Sequence, residues 1–385
     1  MRYLGGNRLT LLTNGEQYFP ALVEAFDAAR GEIFIETYIF AADETGSLVA
    51  DALARAAARG VAVHLLVDGF GASEFAPRFR AMLEEAGARV LVYRPEVGRW
   101  RARRNRLRRM HRKLASIDAR VAFVGGINVI DDYDTPDPSP PRYDYAVRIE
   151  GPLVARVRAE AAKLWSLVAW ADFGGRRLRV PREIWGAPGR ADGQRAALVV
   201  RDNLRHRRDI ENAYLRHIGR ARSEIVIACA YFFPGRRIRR ALVAAAARGV
   251  RVLLLLQGRV EYAILHYATR ALYEPLLDAG VEIHEYHLAL LHAKVAVFDR
   301  RRASVGSSNI DPFSLLLARE ANVFVNDAAF ARELRDSLER AMNEGARVLP
   351  RQQWRRRPWW QRLRIWMAYG IARLLIGFAG YERYR

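Results

Sequence analysis

The sequence predicts an α/β protein made of two copies of one unit, and three observations carry that prediction. Residues 52–69, ALARAAARGVAVHLLVDG, are matched at 241–258 by ALVAAAARGVRVLLLLQG. Each is an Ala/Leu-rich helical pattern, an Arg-Gly stop and a short apolar run of the kind that makes a buried strand. A helix-like segment and a strand precede each copy, NGEQYFPALVEAFDAARGEIFIETYIF in the first half and RDIENAYLRHIGRARSEIVIACAYFF in the second. Another helix and strand follow each, ending in EEAGARVLVYRP (84–95) and LDAGVEIHEYH (277–287). Two β-α-β-α-β units mean a duplicated α/β domain.

Between the units, residues 152–172 read as a helix. The stretch Phe173 to Gln194, rich in Gly, Pro and Arg, reads as the connection. The expected boundaries are 1–175 for the first domain, 195–350 for the second and 351–385 for a tail of different composition. That tail holds four of the chain's eight tryptophans (Trp354, Trp359, Trp360 and Trp366) and nine arginines against one glutamate. Its apolar run, Ile365 to Gly380, is too short to span a bilayer and is broken by Arg373. Tryptophan and arginine flanking a short apolar helix predict a segment lying in a lipid interface, with those four tryptophans as the membrane-binding residues.

The chain carries 51% apolar and 10% aromatic residues, which excludes a disordered protein. One cysteine, Cys229, inside an apolar run, permits no intramolecular disulfide and is expected in the core. The N-terminal stretch lacks the apolar core and cleavage site of a signal peptide, so none is expected. A net charge of +21 predicts attraction to polyanions, either nucleic acid or an anionic lipid surface.

The charge hides a finer signal. Of 63 basic residues only three are lysine: Lys113, Lys163 and Lys294. Two of them stand two places after a histidine, in His111-Arg-Lys113 and His292-Ala-Lys294. A compact ammonium reaches a point in a crowded site that a planar guanidinium does not. Aligned on the histidines, His111, Lys113, Asp118, Gly125 and Asn128 have the same offsets as His292, Lys294, Asp299, Gly306 and Asn309. The flanking residues are strand-like, so each His and its Lys share a face. The glycine permits close backbone approach, and Asn128, Ser307 and Asn309 supply neutral donors. Imidazole, ammonium and amide together suit a phosphate, with one histidine as nucleophile. Each half supplies one histidine, so two facing halves supply nucleophile and general acid. Asp118 and Asp299 belong to the motif, though an aspartate at a strand end is also a common turn cap. The run of eight arginines from Arg99 to Arg112 leads into His111 and reads as a phosphate-gathering patch. His284, His287 and His292 lack a convincing fourth ligand and are not read as a metal site.

The paired motifs resemble the phospholipase D superfamily. Within it the resemblance extends over nearly the whole chain to the bacterial cardiolipin synthases, closest to the cardiolipin synthase B type. It rests on NGEQYFPAL near the start, RRMHRKLASIDARVAFVGGIN, DYAVRIEGP, AYFFPG and LHAKVAVFDRRRASVGSSNIDPFS. It implies two pseudo-symmetric α-β-α sandwich domains with the active site at their interface. It further implies phosphatidyl transfer between two phosphatidylglycerols, giving cardiolipin and glycerol through a phosphatidyl-histidine. No metal, cofactor or nucleotide is implied, and nucleic acid is not an expected partner. His111 is cast as nucleophile and His292 as acid/base by the usual order in the superfamily; the near-symmetry leaves the reverse open. Lys113, Lys294, Asn128, Ser307 and Asn309 would hold phosphoryl oxygens. Asp144 and Glu320 match the family's acidic positions, and the pairing implied is crossed, Glu320 with His111 and Asp144 with His292. The expected partner is anionic phospholipid, and the expected place is the cytoplasmic face of a bacterial inner membrane, held peripherally. The competing enzyme reading is a superfamily hydrolase or nuclease, against which the tail argues.

Overall fold

The computed structural model describes residues 1–73, 75–95, 108–135, 140–172, 189–260, 263–355 and 358–378. These residues form fifteen strands. The first half contributes β1 (Leu4–Thr13), β2 (Glu32–Thr37), β3 (Ala62–Asp68), β4 (Arg89–Tyr93), β5 (Leu114–Ile117), β6 (Val121–Gly125) and β7 (Tyr145–Glu150). The second contributes β8 (Gln194–Arg201), β9 (Glu224–Cys229), β10 (Arg251–Gln257), β11 (Glu282–Tyr286), β12 (Lys294–Phe298), β13 (Arg302–Gly306), β14 (Glu320–Asn326) and β15 (Ala346–Val348).

One sheet contains them all. From its middle outward it runs β1-β7-β6-β5-β2-β3-β4 on one side and β8-β14-β13-β12-β9-β10-β11-β15 on the other. Apart from β15 the two orders are the same. In each half three strands are parallel and the next are antiparallel. β1 and β8 join the halves through the pairs Leu4↔Ala196 and Asn7↔Gln194.

Local chemistry accounts for the repeat. The helices Glu44–Ala58 and Arg236–Ala247 run into the duplicated Arg-Gly stop. Gly60 and Gly249 take φ of +88° and +83°, a left-handed turn that glycine enters without a Cβ clash. The chain then turns straight into β3 and β10, which are buried except at their first residue. Central parallel strands are covered on both faces, so they read as unbroken apolar runs.

Each half packs one face of its sheet against its own outer helices. A third apolar layer is shared. It contains Val157 and Trp165 from the helix Leu153–Asp172, Leu334 and Leu338 from the helix Ala328–Gly345, and inward side chains of both halves. Burying each of these larger side chains contributes about 2 kcal/mol. A small polar network crosses the same layer: the hydroxyls of Tyr143 and Tyr145 lie 2.7 Å apart, and Ser337 Oγ lies 3.0 and 2.9 Å from them. Cys229 is buried in the second outer core.

The strand directions give the sheet two unlike ends. At one end β2, β3 and β4 finish while β5 begins, and β9, β10 and β11 finish while β12 begins. The H-x-K segments lie at that end. The connection read at 173–194 falls mostly outside the described residues, as does the arginine run up to residue 107.

Candidate active site

Each H-x-K segment reaches the centre through a short parallel bridge to the other half. Met110 pairs with Arg319, and His111 N donates to Arg319 O at 2.9 Å. Leu291 pairs with Tyr143, and His292 N donates to Tyr143 O at 2.9 Å. The residue after Arg319 is Glu320, and the residue after Tyr143 is Asp144. Each bridge therefore carries a carboxylate from one half onto the histidine of the other.

The resulting contacts are crossed. His111 Nδ1 lies 3.0 Å from Glu320 Oε1, and His292 Nδ1 lies 2.6 Å from Asp144 Oδ2. With Nδ1 so engaged, Nε2 is the ring nitrogen left to react. Lys113 Nζ donates to His111 O at 2.9 Å, and Lys294 Nζ donates to His292 O. Lys294 Nζ also stands 3.7 Å from Asp144 Oδ2. Asn128 Oδ1 accepts from Ile39 N at 3.2 Å and Asn309 Oδ1 from Tyr231 N at 3.4 Å, which turns each amide nitrogen the other way as a donor.

Burial shapes the charges here. It pushes the Asp144 carboxyl up to about 6 against the pull of Lys294. It pushes the Lys113 ammonium down to about 7, with Glu320 opposing and Lys294 assisting. Burial, with Lys294 and Arg142 beside it, holds His292 well below the usual histidine range. Burial lowers His111 as well, with Glu320 pulling back. Desolvation disfavours whichever form is charged, so both imidazoles are inclined to be neutral. Among the described residues no His/Cys/Asp/Glu cluster has the makings of a metal site.

Four sequence expectations are corrected. Asp118 and Asp299 do not join the catalytic group. Five residues of extended chain separate Asp118 from Lys113, about 16 Å. Asp118 accepts from the backbone N–H of Arg30, Gly31 and Glu32 at 2.8–2.9 Å. Asp299 likewise accepts from Arg222, Ser223 and Glu224. Burial raises its carboxyl, but those donors outweigh it and hold it below the usual carboxylate range. Both are turn clasps at the far end of the sheet, with φ of 51° and 54°. Ser307 is the third correction. Its one hydroxyl proton goes to Glu320 Oε2 at 2.5 Å, so it steadies the acid and has none to give a phosphate. The fourth is Trp354, which is buried and packs on Tyr273 at 5.1 Å between ring centres, away from any lipid. The described end of the arginine run is also occupied internally: Arg112 pairs with buried Glu36 at 2.6 Å and Arg109 with Asp68 at 3.6 Å.

Two residues escaped sequence reasoning. The Tyr38 ring stands edge-on to His111 at 4.9 Å, and the Lys113 ammonium lies 5.3 Å from its centre. Asp68, fully buried, accepts from Met110 N at 2.8 Å and so anchors the residue before His111. A signal existed for both, since they interrupt the repeat: Ala230 and Gln257 stand at the corresponding positions.

The family model described as cardiolipin synthase, PLD-like domain, matches residues 22–165 and 214–342. The chain belongs to this phospholipase D-like family. The two matched segments cover β2–β7 in the first half of the sheet and β9–β14 in the second. Cardiolipin synthase B of Escherichia coli K12 is 39% identical over 98% of this chain and 90% of its own length. A probable cardiolipin synthase of Bacillus subtilis is 31% identical over 89% of this chain and 68% of its own. Among solved structures, phosphatidylserine synthase of Haemophilus influenzae superposes with a TM-score of 0.68 at 12% identity, covering 96% of this chain and 94% of that one. Polyphosphate kinase of Porphyromonas gingivalis gives a TM-score of 0.59 at 16% identity, over 90% of this chain and 49% of that one. These two likenesses bear on the fold alone.

Two expected outcomes follow from the geometry. Asp118→Ala removes a charged acceptor from three backbone N–H groups and lowers unfolding stability by about 1–3 kcal/mol, read by urea denaturation. Its activity per folded molecule stays within about twofold of the parent; a collapse of turnover with stability intact would return Asp118 to the catalytic group. The second outcome is a bell-shaped dependence of kcat/KM on pH. Asp144 accepts the hydrogen bond from His292 Nδ1–H and stabilises the imidazolium only when ionised, so activity falls as pH drops through about 6. Lys113 loses its charge as pH rises through about 7, weakening phosphate binding on the other side. A level profile through that range overturns the assignment.

Proposed function

We propose that this chain is a cardiolipin synthase that moves a phosphatidyl group from one phosphatidylglycerol to the glycerol hydroxyl of another. The observation that carries this is the crossed pair of histidine–carboxylate contacts, set in a chain that aligns along 98% of its length with cardiolipin synthase B. A carboxylate on Nδ1 fixes the tautomer and stabilises the imidazolium when it forms. His111 Nε2 attacks the phosphorus as its bond to glycerol oxygen breaks, and His292, protonated to the imidazolium when the negative phosphodiester binds beside it and held so by ionised Asp144, gives that oxygen its Nε2 proton. The product of this half-reaction is a phosphatidyl-histidine and free glycerol. The second phosphatidylglycerol then attacks the same phosphorus, His292 takes back the proton, and the P–N bond breaks to release cardiolipin. One phosphodiester replaces another, so no nucleotide is consumed. Lys113, Lys294, Asn128 and Asn309 surround the non-bridging oxygens, where donors strengthen as charge develops.

The tail is proposed to hold the enzyme peripherally on the cytoplasmic face of the bacterial inner membrane. The helix Trp359–Phe378 packs Tyr369 and Ala372 inward against a cluster with Phe233, Ala268 and Leu272, and Ile365 into the second outer core. Its outer face bears Trp359, Leu363, Trp366, Met367, Ile371 and Leu374, all exposed and spaced at helical intervals. Such a face fits the boundary between headgroups and acyl chains. Among the described residues no helix is long and apolar enough to cross a membrane.

The purified protein is to be incubated with phosphatidylglycerol in mixed micelles and the lipids resolved by mass. Cardiolipin is expected from the parent, with His111→Ala and His292→Ala each slower by at least about 10³-fold. Phosphatidic acid as the sole product would make the enzyme a hydrolase instead. Mapping the trapped phosphatidyl group to one histidine peptide names the nucleophile. For the tail, Trp359→Ser with Trp366→Ser is expected to weaken sedimentation with phosphatidylglycerol vesicles by about tenfold or more. Undiminished sedimentation would remove the tail from the membrane contact.

A further inference from the structure

Exposed apolar side chains are distributed unevenly between the two ends of the sheet. At the reactive end, six stand on loops that follow the strand ends nearest the site, two from the first half and four from the second. Phe70 follows β3, Tyr133 follows the Asn128 turn, and Leu204 follows β8. Val260 follows β10, Leu288 follows β11, and Phe313 follows the Asn309 turn. Leu204 is 72% exposed, Phe70 56% and Val260 55%. The turns at the opposite ends of the same strands, around Gly31, Gly60, Gly87, Gly151, Gly249 and Gly280, present no exposed large apolar side chain among the described residues, and toward that end only Met1 before β1 and Val348 on the edge strand β15 are exposed. Large apolar side chains left exposed on the loops of one end mark that end as a contact surface.

We propose that this rim is a docking surface that seats the mouth of the site on an anionic phospholipid monolayer. The proposal rests on the phosphatidyl-transfer reading, which requires a substrate drawn from a bilayer. Three features select that occupant. The chain's net charge of +21 complements an anionic surface. Basic groups stand among the apolar ones: Leu204 is followed by exposed Arg205, Arg207 and Arg208. Aromatic and aliphatic tips beside arginines are the arrangement that enters an acyl boundary while reaching phosphates. The rim is also continuous with the C-terminal helix, since Tyr369 of that helix packs at 5.7 Å on Phe233, whose N–H bonds to Ile310 O beside the site. The loops and the helix thus belong to one end of the molecule. A lipid would then reach the histidines by sliding its headgroup a short way out of the monolayer, with its acyl chains still solvated by neighbours.

Sedimentation with vesicles of phosphatidylglycerol mixed with phosphatidylcholine tests this without depending on turnover. The full chain carrying Leu204→Ser and Val260→Ser is expected to partition about a hundredfold more weakly, about tenfold for each apolar side chain lost. Val348→Ser, on an exposed apolar residue away from the rim, is expected to partition like the parent. The double variant should still turn over short-chain phosphatidylglycerol dissolved as monomers. Partitioning equal to the parent overturns the proposal. So does a change of oligomeric state in its place, which would assign the rim to a second copy of the chain. Loss of monomer turnover along with partitioning also overturns it, since these residues would then support the site itself. A second readout uses Phe70→Cys labelled with a polarity-sensitive fluorophore, the native Cys229 being buried. A blue shift on adding the vesicles is expected, and an unchanged spectrum counts against the rim.

Discussion

The site depends on two backbone bridges that cross between the halves. Met110 with Arg319 and Leu291 with Tyr143 place each histidine against the carboxylate that follows the partner strand. Neither half holds a histidine and its orienting acid together. The shared apolar layer matters for the same reason: it keeps the bridges in register, so a shift of one half relative to the other would separate both pairs at once. Catalytic geometry and interdomain packing are therefore one constraint. Duplication supplies the two histidines, and docking makes them a pair.

Within that symmetric frame the two sides differ. Glu320 receives the Ser307 hydroxyl, whereas Asp144 has Gly126 beside it, where a Cβ would stand 2.3 Å from the carboxylate. Tyr38 crowds His111, and Ala230 leaves the corresponding place beside His292 small. Glu36 and Arg112 form a buried ion pair near the first motif, where the second has Ala228 and Ala293. A buried pair of that kind adds little net stability against apolar neighbours, but it fixes the backbone around Lys113. Such differences matter for a ping-pong reaction, whose two histidines must do opposite things at each step.

The sheet also divides labour along its strands. One end gathers the titrating groups and the exposed apolar loops. The other is tied by Asp118 and Asp299, each bonded to three or more donors in the turn before a parallel strand. The H-x-K-x4-D spacing thus joins two separate requirements, reactive groups at the start of a strand and a turn clasp at its end. That explains why a motif can carry an aspartate that touches no substrate.

Much of the fold was legible because its signals are local. Arg-Gly stops, unbroken apolar strands and the repeated 0, 2, 7, 14, 17 spacing depend on neighbours a few residues away, so the duplicated α/β frame could be read from the letters. Residue types for phosphate chemistry were legible for the same reason. The spacing did not say which acid faces which histidine; the family resemblance implied it, because the partners are 209 and 148 residues apart. Nor could it say that Ser307 spends its proton on Glu320, or that Asp118 turns to the backbone. Trp354 and Trp359 are five residues apart in one tryptophan-rich run, yet one is 7% exposed and the other 76%. By itself the sequence determined the frame, the reactive groups and the charge. Tertiary structure alone decided their partners and their exposure, because hydrogen-bond direction and burial depend on what packs across the gap between distant segments.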